Sequence, residues 1–273
     1  MKQIVVTFTT IPPRFSNLGA KFRSLEKQAV KPDRVQLTIP KNYRRFPGER
    51  PSLPSIPDWV EVFESDVDYG PATKLLPAAQ RWAGTGADLL LCDDDRLQDK
   101  DWVFRLKNAR EARPKDIICE RGWNIQDRMG VFQKKPKTPR AELHETGGKS
   151  LQYRLKRVGS LNLLHPPRQV YKTAGYVDVF EGFLGALIPE SAIPMSAFDI
   201  PDIIWTVDDV WLSGMATLKN TYVWAHDMKR PVYSDAKIDK IAALRHHVEN
   251  GVGRDDADKI AIEHLRREFG VWL

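Results

Sequence analysis

Short apolar runs alternate with helical stretches over the first 120 residues or so, and this alternation constrains the fold more than any other feature of the chain. Residues 3–9 (QIVVTFT) read as a strand that stops at Pro12-Pro13. Phe15, Leu18, Phe22 and Leu25 then recur at helical spacing. Residues 35–39 alternate as a second strand ending at Pro40, and a proline-rich loop follows to about residue 58. Residues 59–63 form a third strand, and Leu75, Leu76, Ala79 and Trp82 mark a helix face. Residues 88–92 are a fourth, fully apolar strand after Asp88. Trp102, Val103 and Leu106 mark another helix, and residues 117–119 a short strand. Strand–helix alternation of this kind predicts an α/β fold, a mostly parallel central sheet flanked by helices. Ligands of such sheets sit outside the carboxyl ends of the strands.

One such end carries Asp93-Asp94-Asp95. Three adjacent carboxylates at the mouth of an apolar strand repel one another and raise one another's pKa. A divalent cation relieves that conflict, and hard oxygen ligands suit Mg²⁺ or Mn²⁺ shared with a phosphate. The alternative is a solvated acidic turn that caps the next helix. Thr9, Thr10 and Arg14 follow the first strand at the same edge.

The rest of the chain is less periodic. Residues 121–175 are rich in Arg, Lys, Gly and Pro and read as a long insertion or lid. Residues 182–188 are apolar and glycine-containing, residues 209–218 helical, and residues 221–224 a strand ending near His226. From about Asp235 two amphipathic helices are expected, one through Ile238, Ile241 and Val248 and one through Ile262, Leu265 and Phe269. The expected division is a domain over residues 1–230 with a helical extension over 231–273. The extension would offer Lys237, Lys240, Arg245, Arg266 and Arg267 as a basic face or an ordinary solvated one.

Bulk properties narrow the classes. Hydrophobic residues make up 42% and charged residues 29% of 273, the balance of a globular protein. No apolar run is long enough to span a bilayer. The N-terminus opens directly on a strand without a leader-like apolar segment, and Cys92 and Cys119 each end an apolar run as buried thiols, so the cytosol is the expected compartment. The net charge of +6 permits anionic partners without choosing among them.

The order of four segments resembles the glycosyltransferases of the GT-A fold. Those segments are the end of the first strand, Asp93-Asp94-Asp95, the pair Asp208-Asp209 opening a helix, and His226 after the next strand. Asp68-Tyr69-Gly70-Pro71-Ala72-Thr73-Lys74-Leu75-Leu76-Pro77 is similar to bacterial polysaccharide glycosyltransferase-like proteins. The second motif departs from the family in having Asp rather than Glu first. The resemblance implies a nucleotide-sugar donor, Mn²⁺ or Mg²⁺ on Asp93 and Asp95, and His226 as a further metal ligand or a structural residue. It implies Asp209 as the base of an inverting transfer, with Asp208 capping the helix or exchanging roles with it. Asp94 would join the donor site. Lys74 would take phosphate or face solvent. Asp68, Tyr69, Thr9, Thr10 and Arg14 would contact base or ribose, though Arg14 is nearly as well read as a surface arginine. Glu181-Gly182 lies where the fold supports an acceptor sugar, or makes only a tight turn. Trp123, Trp205 and Trp211 would stack on sugars or belong to the core. The expected acceptor is a glycan or lipid-linked molecule of bacterial surface polysaccharide synthesis, reached at the inner face of the membrane by peripheral association.

Two other functions fit parts of this pattern. A nucleotidyltransferase also uses carboxylate-bound metal but has no need of Asp208-Asp209. A nucleic-acid or anionic-surface binder would cluster its basic residues with aromatics, whereas here they are dispersed, so no nucleic-acid partner is expected.

Overall fold

The computed structural model describes residues 2–49, 52–130, 136–144, 151–161, 168–229, 241 and 251–273, with the side chains of 254 and 255 excepted. The helix expected around Ile238–Val248, with Lys237, Lys240 and Arg245, lies outside these residues apart from Ile241. The first half runs β1 (Ile4–Thr9), α1 (Leu18–Glu26), β2 (Arg34–Pro40), β3 (Val60–Ser65), α2 (Leu76–Arg81), β4 (Asp88–Leu91), α3 (Trp102–Ala112) and β5 (Ile117–Cys119). Short elements follow: β6 (Gly122–Trp123), α4 (Gln126–Met129), β7 (Glu142–Leu143), α5 (Leu151–Gly159), β8 (Tyr171–Thr173), β9 (Gly175–Val177) and β10 (Val179–Phe180). The chain ends with β11 (Ala186–Pro189), α6 (Asp208–Leu218), β12 (Val223–Ala225) and α7 (Arg254–Phe269).

The main sheet has the order β3-β2-β1-β4-β11-β5-β12-β9. The first four strands in this order are parallel, as are β5 and β12, while β11 and β9 run against their neighbours. This is the mixed, mostly parallel sheet flanked by helices that the strand–helix alternation predicts. The ends of β1, β4, β5 and β12 therefore meet at one edge.

Alternate residues of the central strands face opposite cores. Val5, Leu89, Leu91, Ile117, Ala186 and Ile188 join α2, α6 and α7 on one side. Val6, Phe8, Leu90, Ile118 and Leu187 join α1 and α3 on the other. Both faces of β4 are covered, so its whole backbone is dry, and Asp93 is the first partly exposed residue beyond it. α7 shares the first core through Ala257, Ala261, Ile262 and Leu265. Leu265 lies so close to Gly214 of α6 that a Cβ there would sit 2.5 Å from it, which fixes how tightly the two helices pack.

Candidate active site

The carboxyl edge of the sheet opens on a cleft of about 370 Å³. Thr9, Thr10, Arg14, Asp68, Lys74, Asp93, Asp94, Asp95, Glu181, Asp208 and Asp209 all line it. Residues separated by up to two hundred positions in the chain are gathered there because β1, β4 and the start of α6 converge at this edge.

On one wall the triplet is held by cations. Arg14 Nη1 lies 2.7 Å from Asp94 Oδ1 and 3.2 Å from Asp95 Oδ2. Thr10 Oγ1 donates to Asp94 Oδ2 at 2.6 Å. Arg14 Nε donates to the carbonyl of Ile241 at 3.0 Å, so the guanidinium is fixed at both ends. Burial lowers its pKa, but Asp94 and Asp95 outweigh that and raise it. Asp95 is the strained member. Burial first, then the charges of Asp93 and Asp94, push its carboxyl up to about 6, against the pull of Arg14 and Arg96.

On the other wall Lys74 is buried among carboxylates. Its Nζ donates to Asp93 Oδ1 at 2.8 Å and pairs with Asp208 Oδ2 at 2.9 Å. Burial alone would lower the ammonium, but Asp208, Asp93 and Asp209 hold it well above the usual lysine range. Lys74 thus joins the triplet to the acidic pair and is not the solvent-facing lysine of the alternative reading. Beside it, Gly182 N donates to Asp209 Oδ1 at 3.1 Å. A Cβ on Gly182 would lie 2.9 Å from that oxygen and 2.7 Å from Leu91 Cδ1, so only glycine allows the approach. Gly182 therefore meets Asp209 directly, while Glu181 lines the cleft and pairs with Arg121.

Another part of the cleft is aromatic. Pro40 at the end of β2 and Tyr43, Arg45 and Phe46 from the proline-rich loop line it. Asp68 positions this loop, accepting from Arg44 N at 2.7 Å and Gly70 N at 2.8 Å. Burial raises the Asp68 carboxyl despite these two bonds. Gly70 has φ +58° and a Cβ there would sit 2.8 Å from the Trp205 ring, so the tight turn lets Trp205 pack on it. Trp205 Nε1 in turn donates to the Asp68 carbonyl at 3.1 Å.

Three of the candidate residues are not among those lining the cleft. Tyr69 packs edge-on against Phe198 at 5.9 Å and is not among the cleft-lining residues. Trp211 is buried in the core, its Nε1 donating to the Ala197 carbonyl at 2.8 Å, while Trp123 and Trp205 do line the cleft. His226 lies at the same sheet edge but outside the cleft lining, with Nε2 3.8 Å from Glu120 Oε1 and Nδ1 accepting from Met228 N at 3.3 Å. Glu120 is itself held by Arg105 at 2.7 Å.

Among the described residues no group of three His, Cys, Asp or Glu side chains is arranged as a metal cage. A cation shared with a diphosphate needs only one or two protein carboxylates. Among the described residues Asp95 Oδ1 is buried without a hydrogen-bond donor, 3.7 Å from Arg96 Nε, and Asp93 opens on the cleft. These two carboxylates fit such a shared ion.

Several cleft residues gave no signal in the sequence. Arg96 follows the triplet and stacks over Phe183 at 5.2 Å. Arg128 stacks over Trp123 at 3.8 Å and pairs with Asp258, which α7 brings to the cleft. Adjacency to the triplet could have marked Arg96; nothing local marks Tyr43, Phe46, Arg128 or Asp258.

No family model and no curated protein matches the chain. Among solved structures it is similar to TarS 1-349 of S. aureus, with 14% identity over 99% of this chain and 72% of that one, at a TM-score of 0.47. It is also similar to a longer S. aureus TarS structure, with 12% identity over 98% of this chain and 44% of that one, at a TM-score of 0.46.

Proposed function

We propose that the chain is an inverting glycosyltransferase that moves a sugar from a nucleotide sugar to a hydroxyl of a glycan or lipid-linked acceptor in surface polysaccharide synthesis. One observation carries this reading: a single cleft holds the Asp93–Asp95 triplet, the cations Arg14 and Lys74, an aromatic part, and a separate carboxylate, Asp209, aimed by a backbone N–H. The aromatic part formed by Tyr43 and Phe46 suits a nucleobase. Arg14, Arg96, Thr9 and Thr10, all in the cleft lining, are the groups that would meet a diphosphate.

A Mg²⁺ or Mn²⁺ held by Asp93 and Asp95 would neutralise charge on the leaving diphosphate. The remaining work falls to the chain. Asp209 accepts the proton of the acceptor hydroxyl as its oxygen bonds to the anomeric carbon and the bond to the diphosphate oxygen breaks. Gly182 holds one oxygen of Asp209, leaving the carboxylate oriented toward the cleft. Asp208, paired with Lys74, fixes the lysine, and the proton goes to its neighbour Asp209. Trp123 and Phe183 would give the acceptor side aromatic surface for sugar rings. The cleft's many carboxylates oppose a nucleic-acid backbone. Its cytosolic position at the inner face of the membrane remains part of the same proposal.

A thermal-shift panel of nucleoside diphosphates and nucleotide sugars, with and without Mn²⁺, tests the reading. Binding to the folded state raises its apparent stability with ligand concentration. A nucleoside diphosphate and its sugar conjugate should stabilise the chain, and more so with Mn²⁺. Release of pyrophosphate from a nucleoside triphosphate and a sugar phosphate would instead favour a nucleotidyltransferase.

A further inference from the structure

Helix α5 is built like an element that lies on a membrane. Leu151, Leu155 and Val158 are 73%, 64% and 70% exposed, an unusual state for three large apolar side chains on one nine-residue helix. At 3.6 residues per turn they share one stripe, and Tyr153 points roughly 160° away from its centre. Tyr153 is buried, so the side of the helix opposite the stripe is covered while the stripe itself is exposed. Arg157 Nη1 donates to Tyr153 Oη at 3.2 Å and reinforces that covered side. Arg154 is exposed on one flank of the stripe and Lys156 on the polar side behind it, and α5 contains no acidic residue.

We propose that α5 docks the protein on an anionic lipid surface, with Leu151, Leu155 and Val158 entering the headgroup–acyl boundary and Arg154 and Lys156 meeting lipid phosphates. An apolar stripe with basic flanks suits that interface. Charge decides between this and the other occupants. A second copy meeting the same face about a twofold axis would bring two uniformly basic helices together, and like charges repel. A nucleic acid would satisfy the basic flanks and leave the stripe in water. The docking surface is separate from glycosyl transfer and stands or falls without it.

Co-sedimentation of the full chain with vesicles tests the proposal. The probe is phosphatidylglycerol mixed with phosphatidylcholine, against phosphatidylcholine alone. The wild-type chain should sediment with the anionic mixture and far less with the neutral one. R154Q/K156Q should weaken that binding roughly 30-fold, since each basic residue near an anionic surface contributes a several-fold gain. L155E/V158E should abolish it while leaving the thermal melting curve unchanged, because both side chains are already in water. K259Q/R267Q removes the same charge from exposed positions on α7 and should change binding less than about threefold. Equal binding to both lipids, no binding by the wild type, or undiminished binding by the α5 variants would overturn the proposal. So would a wild-type dimer that L155E/V158E dissociates while no vesicle binding occurs, which would make the stripe a contact between copies.

Discussion

The two acidic walls of the cleft carry the same kind of side chain and balance it in different ways. The triplet after β4 crowds three carboxylates along one stretch of chain and balances them with Arg14, Arg96 and Lys74, leaving Asp95 pushed up to about 6. The pair at the start of α6 shares Lys74, which pairs with Asp208 and also feels the charge of Asp209, and the N–H of Gly182 donates to Asp209 in addition. Crowding with incomplete balance suits a wall that takes up positive charge from a ligand. A carboxylate with one oxygen aimed by a backbone N–H suits a wall that takes a proton. Lys74 is the joint between the two, and the predictions follow from that division.

Removing the joint should have the largest effect. Lys74→Met leaves Asp208 and Asp93 without their buried counter-ion, and breaking one partner of a buried pair costs about 3–5 kcal/mol. Urea denaturation at neutral pH should show that loss, and the double variant K74M/D208N should recover part of it. A K74M chain of wild-type stability would mean that the two walls are independent.

Disturbing the proton-taking wall alone should come next. Gly182→Ala places a Cβ against Asp209 Oδ1 and Leu91. A displacement of the reacting group by about an ångström costs on the order of 100-fold in turnover. Donor affinity should stay within a few-fold of wild type. Loss of donor affinity with turnover retained would place Gly182 on the donor side.

Asp95→Asn sharpens the contrast from the other wall. Because the folded pKa of Asp95 lies above its ordinary 3.8, the native state holds that proton more tightly than the unfolded chain does. The group's ionisation therefore costs nothing below about pH 4 and its full cost applies above about pH 6. D95N should be the more stable chain at pH 7, by about 1–3 kcal/mol, with the difference vanishing near pH 4. Denaturation curves across that window measure it. A D95N chain less stable at pH 7 would show that its pairing with Arg14 outweighs the crowding.

His226 should give the smallest effect. It faces Glu120 behind the cleft, so His226→Ala should leave Mn²⁺-dependent nucleotide affinity unchanged within about twofold. Loss of a metal ligand or its support would cost about 10–100-fold, and a loss of that size, measured by calorimetry, would add His226 to the triplet's wall.

The sequence made the elements with long apolar periods legible. β1 to β5 and their helices were readable because Ile4–Thr9 and Asp88–Leu91 are buried on both faces, and the triplet's place at the sheet edge follows from that run. β11 was not legible as the strand between β4 and β5, because that pairing joins residues about a hundred positions apart and leaves no local period. β6, β9 and β10 span only two or three residues each, too short for alternation to register. Adjacency in the chain groups Tyr69 with Asp68, yet the turn points its ring at Phe198. Tyr43 and Phe46 come from a loop without periodicity, and it is the Asp68 carboxylate that ties that loop to the cleft through Arg44 N.

The central claim is that Asp209 takes the acceptor's proton in a cleft whose other wall binds the donor. It is tested by measuring nucleoside diphosphate release from a nucleotide sugar by the wild type and by Asp209→Asn, with donor affinity determined by calorimetry on the same samples. The substitution keeps the shape of the side chain and leaves an oxygen able to accept from Gly182 N, but it removes the proton acceptor. The account predicts turnover lower by roughly 10²–10⁴-fold with donor affinity retained. Undiminished turnover in the variant, or a wild-type chain that neither binds nor consumes any nucleotide sugar, would contradict it.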